Sequence, residues 1–403
     1  MKELFEKPYI IEWKEEKINE KEEEKEEGIK KKQKKEKIEL NRKQIWCLLT
    51  HMFFTTMDES IHKYWNNFDI WYHCEESNNC VFSYLLTLFH YFIHISLNDN
   101  EIQNINPKNI IFEKITLEDN DNYDYNIDCN KGECNNIKWI NLYDKKNNML
   151  FDYNESQSIE FVVDFANSYV GFGISGTQEE MILGSSPESC IIMLLSPNPM
   201  KYGQIIVIQN VYVIAKFKNY GRNLSFEKCL IKDCNKKDNI STLFLRHIIA
   251  ADASELDINE NIKNTENIKI LDLQNKYLKR DFIKAIAIMS LFQSNLLNQD
   301  IFIRSGLWGC GAFCGNKFIK TLIQFVAAHI FLKVNPNIHF KFYCIDDSLQ
   351  EDSFSYSLFS FLKYKHDNHI CWNHIWRFVL NNKSLFQLDD NIFQIIIQKN
   401  KIN

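Results

Sequence analysis

Short runs of β-branched and aromatic residues recur from residue 159 onward, each bounded by turn-forming residues. IleGluPheValVal (159–163), CysIleIleMetLeuLeu (190–195), GlnIleIleValIle (204–208) and PheLysPheTyrCysIle (340–345) have strand length and predict four strands. Between and after them, residues 280–293, 317–333 and 353–364 carry apolar positions at helical period. Alternating strands and helices predict a layered α/β domain. Upstream the period is helical: Trp46, Leu49 and Phe53, then Trp65, Phe68 and Trp71, then Phe82, Leu85, Leu88, Phe89 and Phe92. Residues 118–149, rich in Asn, Asp and Lys, read as a long polar excursion, and 232–240 and 257–268 as surface insertions. Residues 1–40 are a Lys/Glu block without enough apolar area to fold alone, so a disordered tail is expected. The expected organisation is a charged tail over 1–40, a helical accessory region over 41–150 and an α/β domain over 151–403.

Composition narrows the class. The 403 residues are 45% apolar and 25% charged, which excludes collagen-like, fully disordered and multi-span membrane chains. Lys plus Arg number 47 and Asp plus Glu 53, so the net charge of 47 − 53 = −6 creates no global field for nucleic acid, and no direct nucleic-acid readout is expected. The basic run from Lys30 to Lys37 reads either as a nuclear address or as part of a solvated tail. Val81 to Leu97 lacks Asp, Glu, Lys and Arg, but it is barely long enough to span a bilayer and contains His90, His94, Ser83 and Thr87. A buried helix is the better reading, and no membrane partner is expected. The charged N-terminus carries no secretory signal. The 12 cysteines include no CxxC and no paired zinc spacing, which points to reduced thiols in the nucleus or cytoplasm and to no metal.

Glycine is the informative count. There are only 12, about 3% against a usual share of about 7%. Four fall between Gly171 and Gly184 and four between Gly306 and Gly315. A chain that avoids glycine elsewhere places it where backbone must turn sharply or approach a ligand closely.

The first window runs ValAspPheAlaAsn (163–167), SerTyrVal, GlyPheGlyIleSerGlyThr (171–177), GlnGluGlu (178–180). A strand ends at Asp164 and a glycine loop follows, whose amides can form a nest for phosphate or ribose. Glu179 and Glu180 are adjacent, so their side chains point differently and take different contacts. A carboxyl beside an apolar wall can have its pKa raised enough to serve as a general acid. Equally, two glutamates at a helix N-terminus can be surface charges favoured by the helix dipole. Spacing alone does not separate the two.

This order of motifs resembles the signature of the poly(ADP-ribose) glycohydrolases. ProGlu at 187–188 matches too, as do HisIleIleAlaAlaAspAla (247–253) and ArgAspPheIleLysAla (280–285). The second window, GlyLeuTrpGlyCysGlyAlaPheCysGly (306–315), with LeuIleGlnPheValAlaAla (322–328), is similar to the family's second motif. The resemblance runs from about residue 150 to 350. It implies a macrodomain-like three-layer α/β/α core behind a helical N-terminal accessory domain. It implies hydrolysis of ribose–ribose bonds in poly(ADP-ribose) without metal or cofactor, in a monomer acting on poly(ADP-ribosyl)ated proteins of the DNA damage response. By resemblance Glu180 is the acid that protonates the leaving oxygen and then activates water, Glu179 holds ribose hydroxyls and Asp164 orients the site. Asn167 and Gln178 match substrate-contacting positions, and Gly171, Phe172 and Gly173 form the loop beside the ribose. Leu307, Trp308, Gly309, Cys310, Gly311, Ala312 and Phe313 match the diphosphate loop, which leads into the helix from 317. Arg222, in PheLysAsnTyrGlyArgAsnLeuSerPhe (217–226), and Tyr153 and Asn154 match adenine-side positions.

The chain departs from the family's pattern at Phe172, which interrupts a run of glycines, and in a shorter loop from Gly173 to Gln178. Arg222 stands for a usual Tyr, Leu307 for a usual Asn and Ile345 for a usual Phe. A non-catalytic ADP-ribose reader on the same fold is therefore the alternative, and a helical interaction protein built on 41–100 a third. Retention of all three acids favours the enzyme. Cys310 and Cys314 read as small loop residues rather than metal or redox groups.

Overall fold

The computed structural model describes residues 13–15, 33–56, 68–75, 78–97, 108–117, 137–141, 159–171, 173–231, 244–257, 268–292, 300–332, 337–344, 353–387 and 390–400. In chain order the elements are β1 (Lys14–Glu15), β2 (Gln33–Leu40), α1 (Arg42–Phe53), α2 (Asp69–Tyr72), α3 (Asn79–Leu97), β3 (Ile110–Leu117), β4 (Ile137–Asn141) and β5 (Ile159–Asp164). Then follow α4 (Gln178–Ser185), α5 (Ile192–Leu195), β6 (Gln204–Tyr212), β7 (Ala215–Lys218), β8 (Ser225–Cys229) and β9 (Leu245–Ala250). The last are α6 (Asn275–Ser290), β10 (Ile301–Ser305), α7 (Lys317–Leu332), β11 (Ile338–Cys344), α8 (Phe354–Asp367), α9 (Trp372–Asn381) and α10 (Ile392–Asn400). Two compact units interleave along the chain: Met1–Glu118 with Ala166–Ala250, and Asp119–Phe165 with Ala251–Asn403. The boundaries expected at 40 and 150 do not coincide with this division.

In the first unit β1, β2, β3, β6 and β9 pair in that order, all antiparallel. The expected disordered tail is corrected here: residues 33–40 form β2, in register with β3 from Gln33↔Leu117 to Leu40↔Ile110. Ile38 and Leu40 alternate into the core at 5% and 4% exposure. Lys35 pairs with Glu113 at 2.8 Å, so opposite charges across the ladder let a charge-rich segment persist as a strand. Residues 16–32 lie outside the described residues.

The helical segment follows directly. Asn41 caps α1, its side chain accepting from Gln44 N at 3.0 Å. The helix buries Ile45, Leu49 and Met52, and α3 buries Tyr84, Leu88 and Tyr91, in each case at i, i+4, i+7. Among the described residues no helix is long and apolar enough to cross a membrane.

Glu188, fully buried, ties these helices to β6. It accepts from Arg42 Nε at 3.1 Å, Tyr91 Oη at 3.2 Å and Tyr212 N at 2.8 Å. Arg42 also stacks on the Tyr212 ring at 3.8 Å and donates to Asn210 O at 2.7 Å, where β6 bulges. The strand expected at 190–195 is instead the end of a 3-10 turn, Pro187–Ile191, followed by α5. All of these residues are buried, and a run with no polar face has no period to distinguish strand from helix.

In the second unit β5, β10, β11 and β4 are all parallel and pair in that order. The strands expected at 159 and 340 and the helices expected at 280, 317 and 353 are present, as β5, β11, α6, α7 and α8. Phe325 of α7 meets Phe340 and Phe342 of β11 and Trp372 of α9 edge-on, at 6.0, 5.2 and 5.5 Å. The polar excursion expected over 118–149 contains β4, IleLysTrpIleAsn, paired with β11. Of the insertions expected at 232–240 and 257–268, residues 232–240 and 258–267 lie outside the described residues. Cys47, Cys74, Cys80, Cys190, Cys229, Cys310, Cys314, Cys344 and Cys371 are free thiols.

Candidate functional site

In the first unit, Thr177 sits at the N-cap of α4, so Gln178, Glu179 and Glu180 are its first three residues. All three are buried, at 6%, 7% and 8% exposure, so they are not the solvated surface charges that helix-end statistics allow. The adjacent glutamates have different partners. Glu179 Oε2 accepts from Asn167 N and Oε1 from Gly171 N, both at 3.0 Å. These bonds fold the 167–171 loop around one carboxylate, and Asn167 Oδ1 tightens it by accepting from Tyr169 N at 3.0 Å. Glu180 Oε2 accepts from Thr177 N at 3.1 Å and from the Thr177 hydroxyl. Its Oε1 meets only a long 3.5 Å contact from Gly173 N among the described residues.

The loop before α4 is held by its carbonyls. Trp71 Nε1 donates to Gly173 O at 3.2 Å, Asn78 Nδ2 to Ile174 O at 3.0 Å and Tyr84 Oη to Ser175 O at 2.6 Å. Gly221 N donates to Gly176 O at 2.8 Å. Four successive carbonyls are thus restrained, three of them by side chains of the helical segment. At Gly176 a Cβ would lie 2.5 Å from Gly221 O, so this glycine is a packing necessity. Burial and then the Glu180 charge raise the pKa of Tyr84 and of Tyr220, as a negative group close to both phenols requires. Arg222 is exposed in the turn Gly221–Asn223, between β7 and β8. Phe172, Tyr153, Asn154 and Ile345 lie outside the described residues.

In the second unit, Asp164 is fully buried at the end of β5, and its carbonyl accepts from Ala251 N at 3.1 Å. Ala251 O in turn accepts from Trp308 Nε1 at 2.9 Å. Trp308 is 1% exposed. Its side chain is therefore packed in the interior beneath the loop, held by this hydrogen bond. Gly309 has φ +72°, and a Cβ there would meet Ala253 Cβ at 2.5 Å. Gly311 and Ala312 are exposed, Leu307 and Phe313 half-buried. No described residue accepts from the amides of Gly311, Ala312 and Phe313, which leaves a short run of donors suited to anionic oxygens.

Two of the first amides of α7 are already engaged. Asn316 Oδ1 accepts from Phe318 N at 3.0 Å and Ile319 N at 3.2 Å, so the helix caps itself and the donors are in the loop. Burial pushes the Cys310 thiol up to about 12, which suits a loop residue and not a thiolate reagent.

Beneath this loop lies a buried ionic network that the sequence did not assign. Lys320, fully buried, contacts Asp272 at 3.1 Å and also Asp281. Burial works against its charge, but Asp281 and Asp272 outweigh it and raise its pKa. Asp281 accepts from Ser254 N and Oγ at 2.9 Å, and Lys284 meets Asp252 at 2.5 Å. Arg280 contacts both Asp252 and Asp281. The segments 247–253 and 280–285, noted from the sequence without a role, meet in this network. Asn78 and Tyr84 carried no signal in the sequence and Trp71 only that of a helical period, whereas the Thr-x-x-Glu spacing of Thr177 and Glu180 is a legible helix-start pattern.

Comparisons with known proteins agree in kind. Residues 141–348 match the family model described as poly (ADP-ribose) glycohydrolase, Macro domain fold, and residues 2–114 the model described as its helical domain. Poly(ADP-ribose) glycohydrolase 1 of Caenorhabditis elegans is 27% identical over 308 residues, covering 73% of this chain and 35% of the relative. Poly(ADP-ribose) glycohydrolase 2 of the same organism is 30% identical over 172 residues, covering 42% and 34%. The chain thus spans about a third of the length of the curated relatives it matches. Among solved structures, the Deinococcus radiodurans glycohydrolase in complex with ADP-ribose aligns with a TM-score of 0.30 at 12% identity, covering 53% of this chain and 79% of that one. The Thermomonospora curvata glycohydrolase aligns with a TM-score of 0.32 at 13% identity, covering 47% and 63%.

Proposed function

The chain belongs to the poly(ADP-ribose) glycohydrolase family, and on that premise we propose that it hydrolyses ribose–ribose glycosidic bonds in poly(ADP-ribose) and releases ADP-ribose. The observation that carries the reading is the division of labour between adjacent buried glutamates. Glu179 spends both oxygens on loop amides, while Glu180 keeps Oε1 lightly engaged.

In this reading the Glu180 carboxyl gives its proton to the leaving ribose oxygen as the glycosidic bond breaks. The sugar then carries oxocarbenium-like positive charge, which nearby carboxylates stabilise. The Glu180 carboxylate next takes a proton from the attacking water, and the acid is restored. Glu179 shapes the loop and offers its remaining lone pairs to ribose hydroxyls. Asp164 orients its own strand end, and Asn167 and Gln178 contact substrate. The amides of Gly311, Ala312 and Phe313 donate to the diphosphate oxygens, and Arg222, Tyr153 and Asn154 serve the adenine side. The substrate is carried on poly(ADP-ribosyl)ated proteins, and the protein acts as a monomer in the nucleus or cytoplasm.

The test is product release by the purified full chain fed ADP-ribose polymer, read by chromatography beside calorimetric ADP-ribose binding. Release of ADP-ribose supports hydrolysis. Binding without release overturns it in favour of a reader on the same fold.

A further inference from the structure

Away from both glycine loops, α3 and β8 bring together three side chains with metal-binding chemistry. His90 and His94 are one turn apart on α3, and their ring nitrogens and Cys229 Sγ all lie within 4.8 Å of one another. The three are half-buried, and the His90 and His94 rings are nearly parallel, 9° apart. Packing orients them: the His90 ring lies on Phe226 of β8 at 5.5 Å. The two elements are already joined further along, where Ser83 Oγ accepts from Phe226 N at 2.8 Å and Cys80 Sγ donates to Gly221 O at 3.2 Å.

We propose that His90, His94 and Cys229 bind one zinc ion that fastens the β7–β8 hairpin to α3. Two imidazoles and a thiolate are borderline-soft ligands suited to zinc, and water completes the tetrahedron. Zinc bonds of about 2.0–2.3 Å place tetrahedral ligand atoms roughly 3.3–3.7 Å apart. Reaching that size from the present separations of up to 4.8 Å requires the ligand atoms to draw together by about an ångström. Binding displaces the Cys229 thiol proton to solvent, and no redox step is involved. The ion is a brace. It secures the base of the hairpin whose tip, through Gly221 N, holds the Gly176 carbonyl beside Thr177.

The test uses the full chain, stripped with a chelator and dialysed against Zn²⁺ or Co²⁺. One zinc per chain is expected, with a thiolate-to-cobalt charge-transfer band and tetrahedral cobalt absorption. Cys229→Ser should abolish the charge-transfer band, and His94→Gln should weaken zinc binding at least about tenfold. Cys371→Ser, at an exposed thiol, should change neither. Absence of retained zinc in the wild-type chain overturns the proposal, as does an unchanged cobalt band in Cys229→Ser. If Cys229→Ser fails to fold, the His90→Gln/His94→Gln double variant decides, and undiminished zinc affinity in it overturns the site.

Discussion

Thr177 places both its backbone N–H and its hydroxyl on one oxygen, Oε2, of Glu180. The cap of the helix therefore also orients the carboxyl proposed as the acid, with Oε1 directed away from the cap. Replacement by glutamine tests this dual role, because the Gln carbonyl can still accept from Thr177. Glu180→Gln should keep the fold and ADP-ribose affinity while turnover falls about 10²–10⁴-fold. Parallel calorimetry and product release check it, and turnover within about threefold of wild type would remove Glu180 from the chemistry.

Tyr84 binds the third of the four restrained carbonyls in the acidic loop. Tyr84→Phe deletes that hydrogen bond and leaves the ring in place, so stability should fall by about 1 kcal/mol. A misplaced loop costs catalysis as well, and turnover should fall by up to about tenfold. Denaturant unfolding and polymer turnover on the same samples measure both, and unchanged turnover would show that the helical segment does not position the loop.

The two glycines of the second window should respond differently. Gly309 combines positive φ with a 2.5 Å clash for any Cβ, so Gly309→Ala should cost about 1–3 kcal/mol. A Cβ at Gly311 meets nothing within 4 Å, so Gly311→Val should fold normally and lose ADP-ribose affinity by obstructing the loop amides. A well-folded Gly311→Val of unchanged affinity would make the window a structural turn only.

Removing residues 1–40 should destabilise the protein. It deletes β2 with Ile38 and Leu40, and it strips β3 of its partner along eight residue pairs. An unpaired strand edge also invites association. Thermal unfolding with light scattering reads both effects, and an unaltered cooperative transition would contradict the role of β2.

His247 makes stability depend on pH. Burial, then the Lys108 charge, push its pKa down to about 4, against about 6.5 in an unfolded chain. Between those values the unfolded state binds more protons, so stability is full above pH 6.5 and falls as pH drops toward 4. Acidifying from pH 7 to 5 should cost about 2 kcal/mol through this residue. His247→Gln should flatten that part of the profile in urea titrations at the two pH values, and an unchanged slope would assign the loss elsewhere.

What the sequence determined by itself follows local pattern. Strands such as Ile159–Asp164 and Ile338–Cys344 are legible because short β-branched and aromatic runs end in turn residues, and helices such as Lys317–Leu332 because a sustained period records which face is buried. The two glycine windows and the Thr177–Glu180 spacing are legible for the same local reason. Tertiary structure decided the rest. Gln33–Leu40 is a strand because β3 supplies a register and an opposite charge for Lys35. Residues 190–195 are helical although strand-like in composition, because burial on every side removes the period. Trp71, Asn78 and Tyr84 converge on one loop from 91 to 102 positions away in the chain. The Lys320 network and the approach of Cys229 to the His90–His94 pair likewise join segments distant in the chain. Such contacts depend on packing between distant segments, and a local hydrophobic pattern carries no information about which distant segments will meet.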